Sequence, residues 1–151
     1  RFEACASLEE LEGEIDRLTA ARVIPADLAP RLDRSAILAF FRSDLGRKLM
    51  TGRYIREFKF SILEDAVGYG EGLTGEQILL QGVVDCALVE PDGITVVDFK
   101  TDYVTEATLP EVLARYRPQV DTYSRALERI YEMPVKGTCL YFFHLKKLIA
   151  V

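Results

Sequence analysis

Tryptophan is absent, histidine occurs once, at His144, and the three cysteines, Cys5, Cys86 and Cys139, are widely spaced with no Cys-x-x-Cys among them. An odd, scattered set excludes a disulfide framework and an all-cysteine zinc site. Three thiols are also too few for a four-cysteine iron–sulfur cluster. They read as small buried hydrophobes in a reducing cytoplasm. With a single histidine, any metal chemistry has to rest mainly on carboxylates, which select hard cations such as Mg2+, Mn2+ or Ca2+ over zinc. No apolar run approaches the about 18 residues of a membrane span. The first twenty residues are studded with Glu and Asp, which argues against a signal peptide. Nothing matches G-x-x-x-x-G-K-[ST], so no ATP site of that kind is expected. Basic excess is missing too: 19 Lys and Arg stand against 24 Asp and Glu, a net charge of −5. That argues against a free-standing basic nucleic-acid binder, and leaves room for a local basic groove or for a partner that supplies one.

What is present is a globular composition, 49% hydrophobic over 151 residues, enough for one core. The chain opens at Arg1 and not Met, so it is expected to be a piece of something longer. Ser7-Leu8-Glu9-Glu10 is a capping-box pattern, and Leu8, Leu11, Ile15 and Leu18 follow at helical spacing. Pro25 and Pro30 bracket a loop, Ile24 to Arg31. A second helix is predicted from about Asp33 to Leu49, ended by Gly52. The period then changes to alternation over Tyr54 to Leu63, a strand. Gly68, Gly70, Gly72 and Gly75 mark a flexible loop. Strands are predicted at Gln77 to Val89 and Ile94 to Thr101, joined by the turn residues Pro91-Asp92-Gly93. A helix from about Pro110 to Glu132, disturbed near Pro118, leads through Met133-Pro134 to a last strand, Val135 to Leu145. The order α-α-β-β-β-α-β describes an α/β (α+β) domain with a mixed β-sheet flanked by helices, with leading helices over 1–52 and a sheet with crossover helix over 53–145.

Two nearly apolar strands carry the chemistry, in Gly82-Val83-Val84-Asp85 and Val96-Val97-Asp98-Phe99-Lys100-Thr101-Asp102. Alternation puts Asp98 and Lys100 on one face with Ile94 and Val96. A two-residue loop at Pro91-Asp92, or a four-residue loop with Val89 opposite Ile94, sets Asp85 opposite Asp98 and Val83 opposite Lys100. A three-residue loop with a bulge at Gly93 shifts the register and parts the aspartates. In the first register, paired carboxylates in apolar surroundings call for a divalent cation as compensation, and a nearby lysine then holds a water or a phosphate oxygen. The bland alternative is a chance Asp-x-Lys whose Asp98 caps the following loop. Gln119 and Tyr123 lie four apart and share a helix face, as functional neighbours or as ordinary packing. Arg115, Tyr116 and Arg117 offer a phosphate contact or a solvated turn.

Taken together, GVVD, VVDFKTD and Gln119-Val-Asp-Thr-Tyr123 resemble the RecB-like branch of the PD-(D/E)XK nucleases, in particular the C-terminal nuclease domains of AddAB-type helicase–nuclease A subunits. Phe40-Phe41-Arg42-Ser43 and Arg56-Glu57-Phe58-Lys59-Phe60 fit the same order of motifs. The resemblance implies a restriction-endonuclease-like core and Mg2+ or Mn2+ held by Asp85, Asp98 and the backbone carbonyl of Phe99. It implies Lys100 as the catalytic lysine, Gln119 and Tyr123 beside the active centre and the DNA, and Glu57 as a further metal-binding candidate. The family's metal-binding histidine, on a helix upstream of the sheet, has no match here. The expectation is that it lies before Arg1 and that this piece alone cuts slowly or not at all. His144 is read as structural.

The implied function is a metal-dependent DNA exonuclease domain, 1–151, of an ATP-dependent helicase–nuclease that processes double-strand breaks for recombinational repair. Its partners would be DNA and an AddB-type subunit, in the cytoplasm, with no membrane. The alternatives are a catalytically silent nuclease-fold docking module and a stand-alone RecB-like phage or defence nuclease.

Overall fold

The computed structural model describes residues 1–70 and 72–151. The capping box closes as the sequence requires: Ser7 Oγ accepts the Glu10 N–H at 3.2 Å and the Glu10 carboxylate accepts the Ser7 N–H at 3.1 Å, opening α1, Leu8–Ala20. Leu11 and Ile15 are buried on its inner face. Beside them the buried Glu14 carboxylate is gripped by Arg17, whose hydrogen bonds hold it well below the usual carboxylate range against the burial that raises it.

The single helix expected at 33–49 is two. α2, Arg34–Phe41, ends at Arg42, and Ser43 caps a new helix, α3, Asp44–Thr51, by accepting the Gly46 N–H at 3.0 Å. α3 folds back so closely that a Cβ on Gly46 would stand 2.1 Å from the Phe40 carbonyl oxygen. Apolar spacing runs on through this corner, which is why periodicity alone reads it as one helix.

The sheet has the order β1-β2-β3-β4-β5. The long hairpin of β1, Arg53–Asp65, and β2, Gln77–Glu90, is followed by β3, Gly93–Lys100, also antiparallel. The expected four-glycine loop joins β1 to β2, and residue 71 within it lies outside the described residues. The helix α4, Leu109–Tyr131, crosses over to β4, Val135–Phe142, which runs parallel to β3. α4 continues unbroken through Pro118, because Ala114 and Pro118 both lie on its exposed side, where solvent can satisfy the carbonyl left without a partner. The last strand also differs from expectation. It stops at Phe142, turns over 143–146, and returns as β5, Lys147–Ala150, antiparallel to β4. This turn has no Gly, Pro, Asn or Asp, and Lys146 takes the left-handed conformation in their place, at φ 52°. The sheet therefore extends past the expected limit at 145.

Helices cover both faces. Leu38, Phe40, Phe41, Leu45 and Leu49 of α2 and α3 bury Cys86, Leu88, Val97 and Tyr141. On the other face Tyr123, Ala126 and Leu127 of α4 bury Phe60, Val84, Ala87, Ile94 and Val96. All three cysteines are free, with Cys5 and Cys86 buried. No helix is long and apolar enough to cross a membrane, among the described residues.

Candidate active site

The β2–β3 turn is the two-residue one. Glu90 pairs with Gly93, and the ladder follows the expected register as far as Cys86 opposite Val97. There it stops. The Asp85 carboxylate reaches across and accepts the Phe99 N–H at 2.9 Å, replacing the next rung with a side chain. Asp85 and Asp98 are thus neighbours without being a backbone pair, and the expected Val83–Lys100 pair does not form: Val83 is 40% exposed while Lys100 is 8% exposed. N–H and C=O of one strand residue point the same way, so the Phe99 carbonyl faces the opening that Asp85 has made.

The local cause is a slip in alternation. Val84 and Ala87 both pack under α4, while Cys86 and Leu88 pack under the leading helices, so the strict period of two breaks at Asp85. β1 breaks at the same level. Ile55 and Phe58 share the α4 side, and Glu57 between them sits at φ 48°. With both strands slipping together, the β1–β2 register is unchanged on either side, Arg56 opposite Cys86 and Phe58 opposite Val84. Such irregularities re-aim a side chain, and here the one re-aimed is Asp85.

Asp98 and Lys100 share a face as alternation required, both buried, with the ammonium in ion-pair contact with Asp98 Oδ2. Among the described residues that oxygen nevertheless receives no aligned hydrogen bond. Lys100 Nζ donates to Gln119 Oε1 at 2.9 Å, and Gln119 Nε2 donates to the Tyr123 hydroxyl at 2.6 Å. Lysine only donates, so the glutamine oxygen must face it and the amide NH2 is left for the tyrosine. Tyr123 packs edge-on to Phe60, 5.9 Å between centroids, over Gly82, where a Cβ would stand 2.8 Å from the Phe60 ring. Behind the strand the Phe99 ring rests on Phe40, 5.0 Å away, so the leading helices brace the residue between Asp98 and Lys100.

Burial pushes the Asp98 carboxyl above the ordinary range; Lys100 pulls it down and the neighbouring Asp85 charge adds to the rise. A buried carboxylate beside a second one, with one oxygen lacking an aligned donor, fits a hard divalent cation. Asp85, Asp98 and the Phe99 carbonyl are the donors the chain can offer. Glu57 does not complete a three-carboxylate group with them, since no cluster of three His, Cys, Asp or Glu side chains that could hold a metal occurs among the described residues. It is exposed and lines a surface cleft with Arg17, Val23 and Arg56. His144 sits exposed in the β4–β5 turn against Tyr103, 4.2 Å between centroids.

One pair of contacts at the site was not expected from sequence. Tyr116 lies half-buried with its ring 3.7 Å from Lys100 Nζ, and its hydroxyl donates to Asp102 Oδ2 at 2.5 Å. The available signal was spacing: Tyr116 precedes Gln119 by three on the same helix, and Asp102 follows Lys100 by two. Arg115 and Arg117 are exposed.

A protein-family model described as the PD-(D/E)XK nuclease superfamily matches residues 2–149. The ATP-dependent helicase/nuclease A subunit of Bacillus mycoides (strain KBAB4) is 35% identical over 148 residues, 91% of this chain and 12% of that protein. The proteins of the same name in Bacillus cereus (strain B4264) and Bacillus anthracis are 36% and 35% identical, over 91% and 96% of this chain and 12% and 13% of their own lengths. The chain thus spans about an eighth of the curated relatives it matches.

Proposed function

The chain belongs to the PD-(D/E)XK nuclease superfamily, and from that premise we propose that residues 1–151 form a divalent-metal-dependent DNA exonuclease domain within a longer ATP-dependent helicase–nuclease. That protein processes double-strand breaks for recombinational repair in the cytoplasm, beside a partner subunit. The observation that carries the reading is the buried Asp98 with an oxygen lacking an aligned hydrogen bond, set beside Asp85 and in contact with Lys100. Asp85, Asp98 and the Phe99 carbonyl hold Mg2+ or Mn2+. A cation held there would supply Lewis-acid activation of the phosphodiester and of a water. Lys100 donates to the attacking water or to a non-bridging phosphate oxygen, and Gln119, anchored by Tyr123, fixes where its ammonium stands. The coherence of the set favours catalysis over a silent docking role, which would have no need of a buried charge cluster that costs stability.

The test is a Mn2+ titration by calorimetry, with cleavage measured in parallel. Asp85→Ala and Asp98→Ala lose the binding that wild type shows. Lys100→Ala in the complete protein abolishes DNA cleavage and spares ATP hydrolysis. Equal Mn2+ affinity in wild type and Asp98→Ala removes the metal site; retained cleavage removes Lys100 from the mechanism.

A further inference from the structure

We propose that Tyr116 is a positioning residue for the reaction: latched by Asp102, its ring face holds the Lys100 ammonium in its working place. The inference rests on the reading of Lys100 as the catalytic lysine. A lysine is a point charge on a flexible four-carbon stem, and freezing it in one rotamer is entropically costly. Three groups surround the Lys100 ammonium: Asp98 Oδ2, Gln119 Oε1 at 2.9 Å and the Tyr116 ring at 3.7 Å from its centroid. Asp98 is a ligand carboxylate and is drawn to the cation once one is bound. The two contacts that then stay with the lysine both come from α4. Gln119 fixes the ammonium from one direction, and the negative face of the Tyr116 ring fixes it from another while asking for no proton.

The ring is itself held. Its hydroxyl donates to Asp102 Oδ2 at 2.5 Å, and Asp102 lies on the segment leaving β3, two residues after Lys100. The latch therefore ties the start of α4 to the end of the strand that carries the lysine. Residues 101–108, between those two elements, have no helix or strand of their own to set this spacing. The ring also packs against the small core of Val104, Val120, Leu140 and Phe142, a packing duty that leucine or phenylalanine can share, whereas the aromatic face on the ammonium and the hydroxyl on Asp102 are particular to tyrosine.

The complete protein, with its partner subunit, is assayed for DNA cleavage as wild type, Tyr116→Phe, Tyr116→Leu, Asp102→Asn and, as control, Lys100→Ala. Tyr116→Leu lowers kcat about tenfold with KM nearly unchanged. Tyr116→Phe keeps the ring face, loses the latch, and falls only about two- to threefold. Asp102→Asn matches Tyr116→Phe. ATP hydrolysis stays at the wild-type value throughout, and so does the melting temperature of Tyr116→Phe and Asp102→Asn, which keep the ring's packing. Independently of cleavage, protein labelled with 13Cε-lysine shows one ε-methylene resonance shifted upfield by the ring current. It moves to an ordinary position in Tyr116→Leu and stays in Tyr116→Phe. Wild-type kcat in Tyr116→Leu, a loss confined to KM, a Phe variant no better than Leu, or an unmoved lysine resonance overturns the proposal. Undiminished cleavage in Lys100→Ala instead overturns the nuclease role of Lys100 on which it rests.

Discussion

At the scale of single residues the site is a place where folding and chemistry pull apart. Asp98 is 2% exposed and carries its charge beside Asp85 with only Lys100 to answer it. Its carboxyl pKa lies above the ordinary 3.8, so the folded chain favours the protonated form over what the unfolded chain would hold. The stability it contributes is complete below the ordinary carboxylate pKa and is lost as pH rises through the raised one. At neutral pH without a cation, Asp98 is therefore a cost. Asp98→Asn removes the charge, keeps the shape, and leaves Lys100 its contacts with Gln119 and Tyr116. The substitution also leaves the buried Lys100 ammonium without its ion-pair partner, so the expected outcome, by thermal melting in EDTA, is a pH dependence: wild type loses stability relative to the variant as pH rises from about 4 to about 7. Adding Mn2+ raises the wild-type melting temperature and leaves the variant where it was. A difference between wild type and variant that does not change between about pH 4 and about pH 7 contradicts this. Asp98 with Lys100, and Gln119 with Tyr123, were legible as pairs because strand alternation and helix spacing say which side chains share a face; Asp85 came from one of the possible turn registers and from the family resemblance, since alternation breaks at that residue. The Tyr116–Asp102 latch was not, because its partners meet only when α4 is laid against the end of β3.

At the scale of elements, the pieces that aim the site are those where regular structure gives way. Asp85 reaches Phe99 because β2 slips by one residue there, and β1 accommodates the slip with Glu57 in the left-handed conformation. The turn chemistry of Pro91-Asp92-Gly93 admitted the register seen up to Cys86 beside a shifted one with a bulge at Gly93, and no local signal announced the slip beyond it. The α2–α3 corner is similar. Phe41-Arg42-Ser43-Asp44 contains no Gly or Pro, yet Ser43 followed by Asp44 and Gly46 is a helix start that competes with the apolar stripe running across it. That corner brings Phe40 against Phe99, so it supports the site from behind. Gly46→Ala puts a methyl group 2.1 Å from the Phe40 carbonyl oxygen and 2.6 Å from the Phe41 Cα, both backbone atoms that cannot swing aside. The expected cost is about 3 kcal/mol, a fall in melting temperature of roughly 10 °C. A melting curve within about 2 °C of wild type would mean that α2 and α3 are free to part, and that the corner does not brace Phe99.

At the scale of the whole molecule, the net charge of −5 and the nuclease fold are compatible once the positive charges are followed to their partners. Arg34 pairs with Glu12, Lys48 with Glu90, Lys136 with Glu90 and Asp92, and Arg125 with Glu64. Arg125 and Arg129, both on α4, are further tied to the β1–β2 hairpin through Glu64, Tyr69 and the Leu63 carbonyl. Near the candidate site the exposed cations include Arg115 and Arg117 on the same helix and, on β1, Arg56 and Lys59, paired with Cys86 and Val83 on either side of Asp85. Affinity for nucleic acid rises with the number of phosphates neutralised, and a few such contacts supply little of it. The domain's own hold on DNA is then expected to be weak, with placement of the strand left to the rest of the protein and to a partner. Fluorescence anisotropy of a labelled single-stranded oligonucleotide, titrated with the 151-residue chain in EDTA at about 0.15 M salt, should give a dissociation constant weaker than about 10⁻⁴ M. Circular dichroism of the same sample shows whether the chain is folded. Micromolar binding by the folded chain would place a phosphate-binding track on this domain itself, and the acidic composition would then be no guide to how its substrate is held.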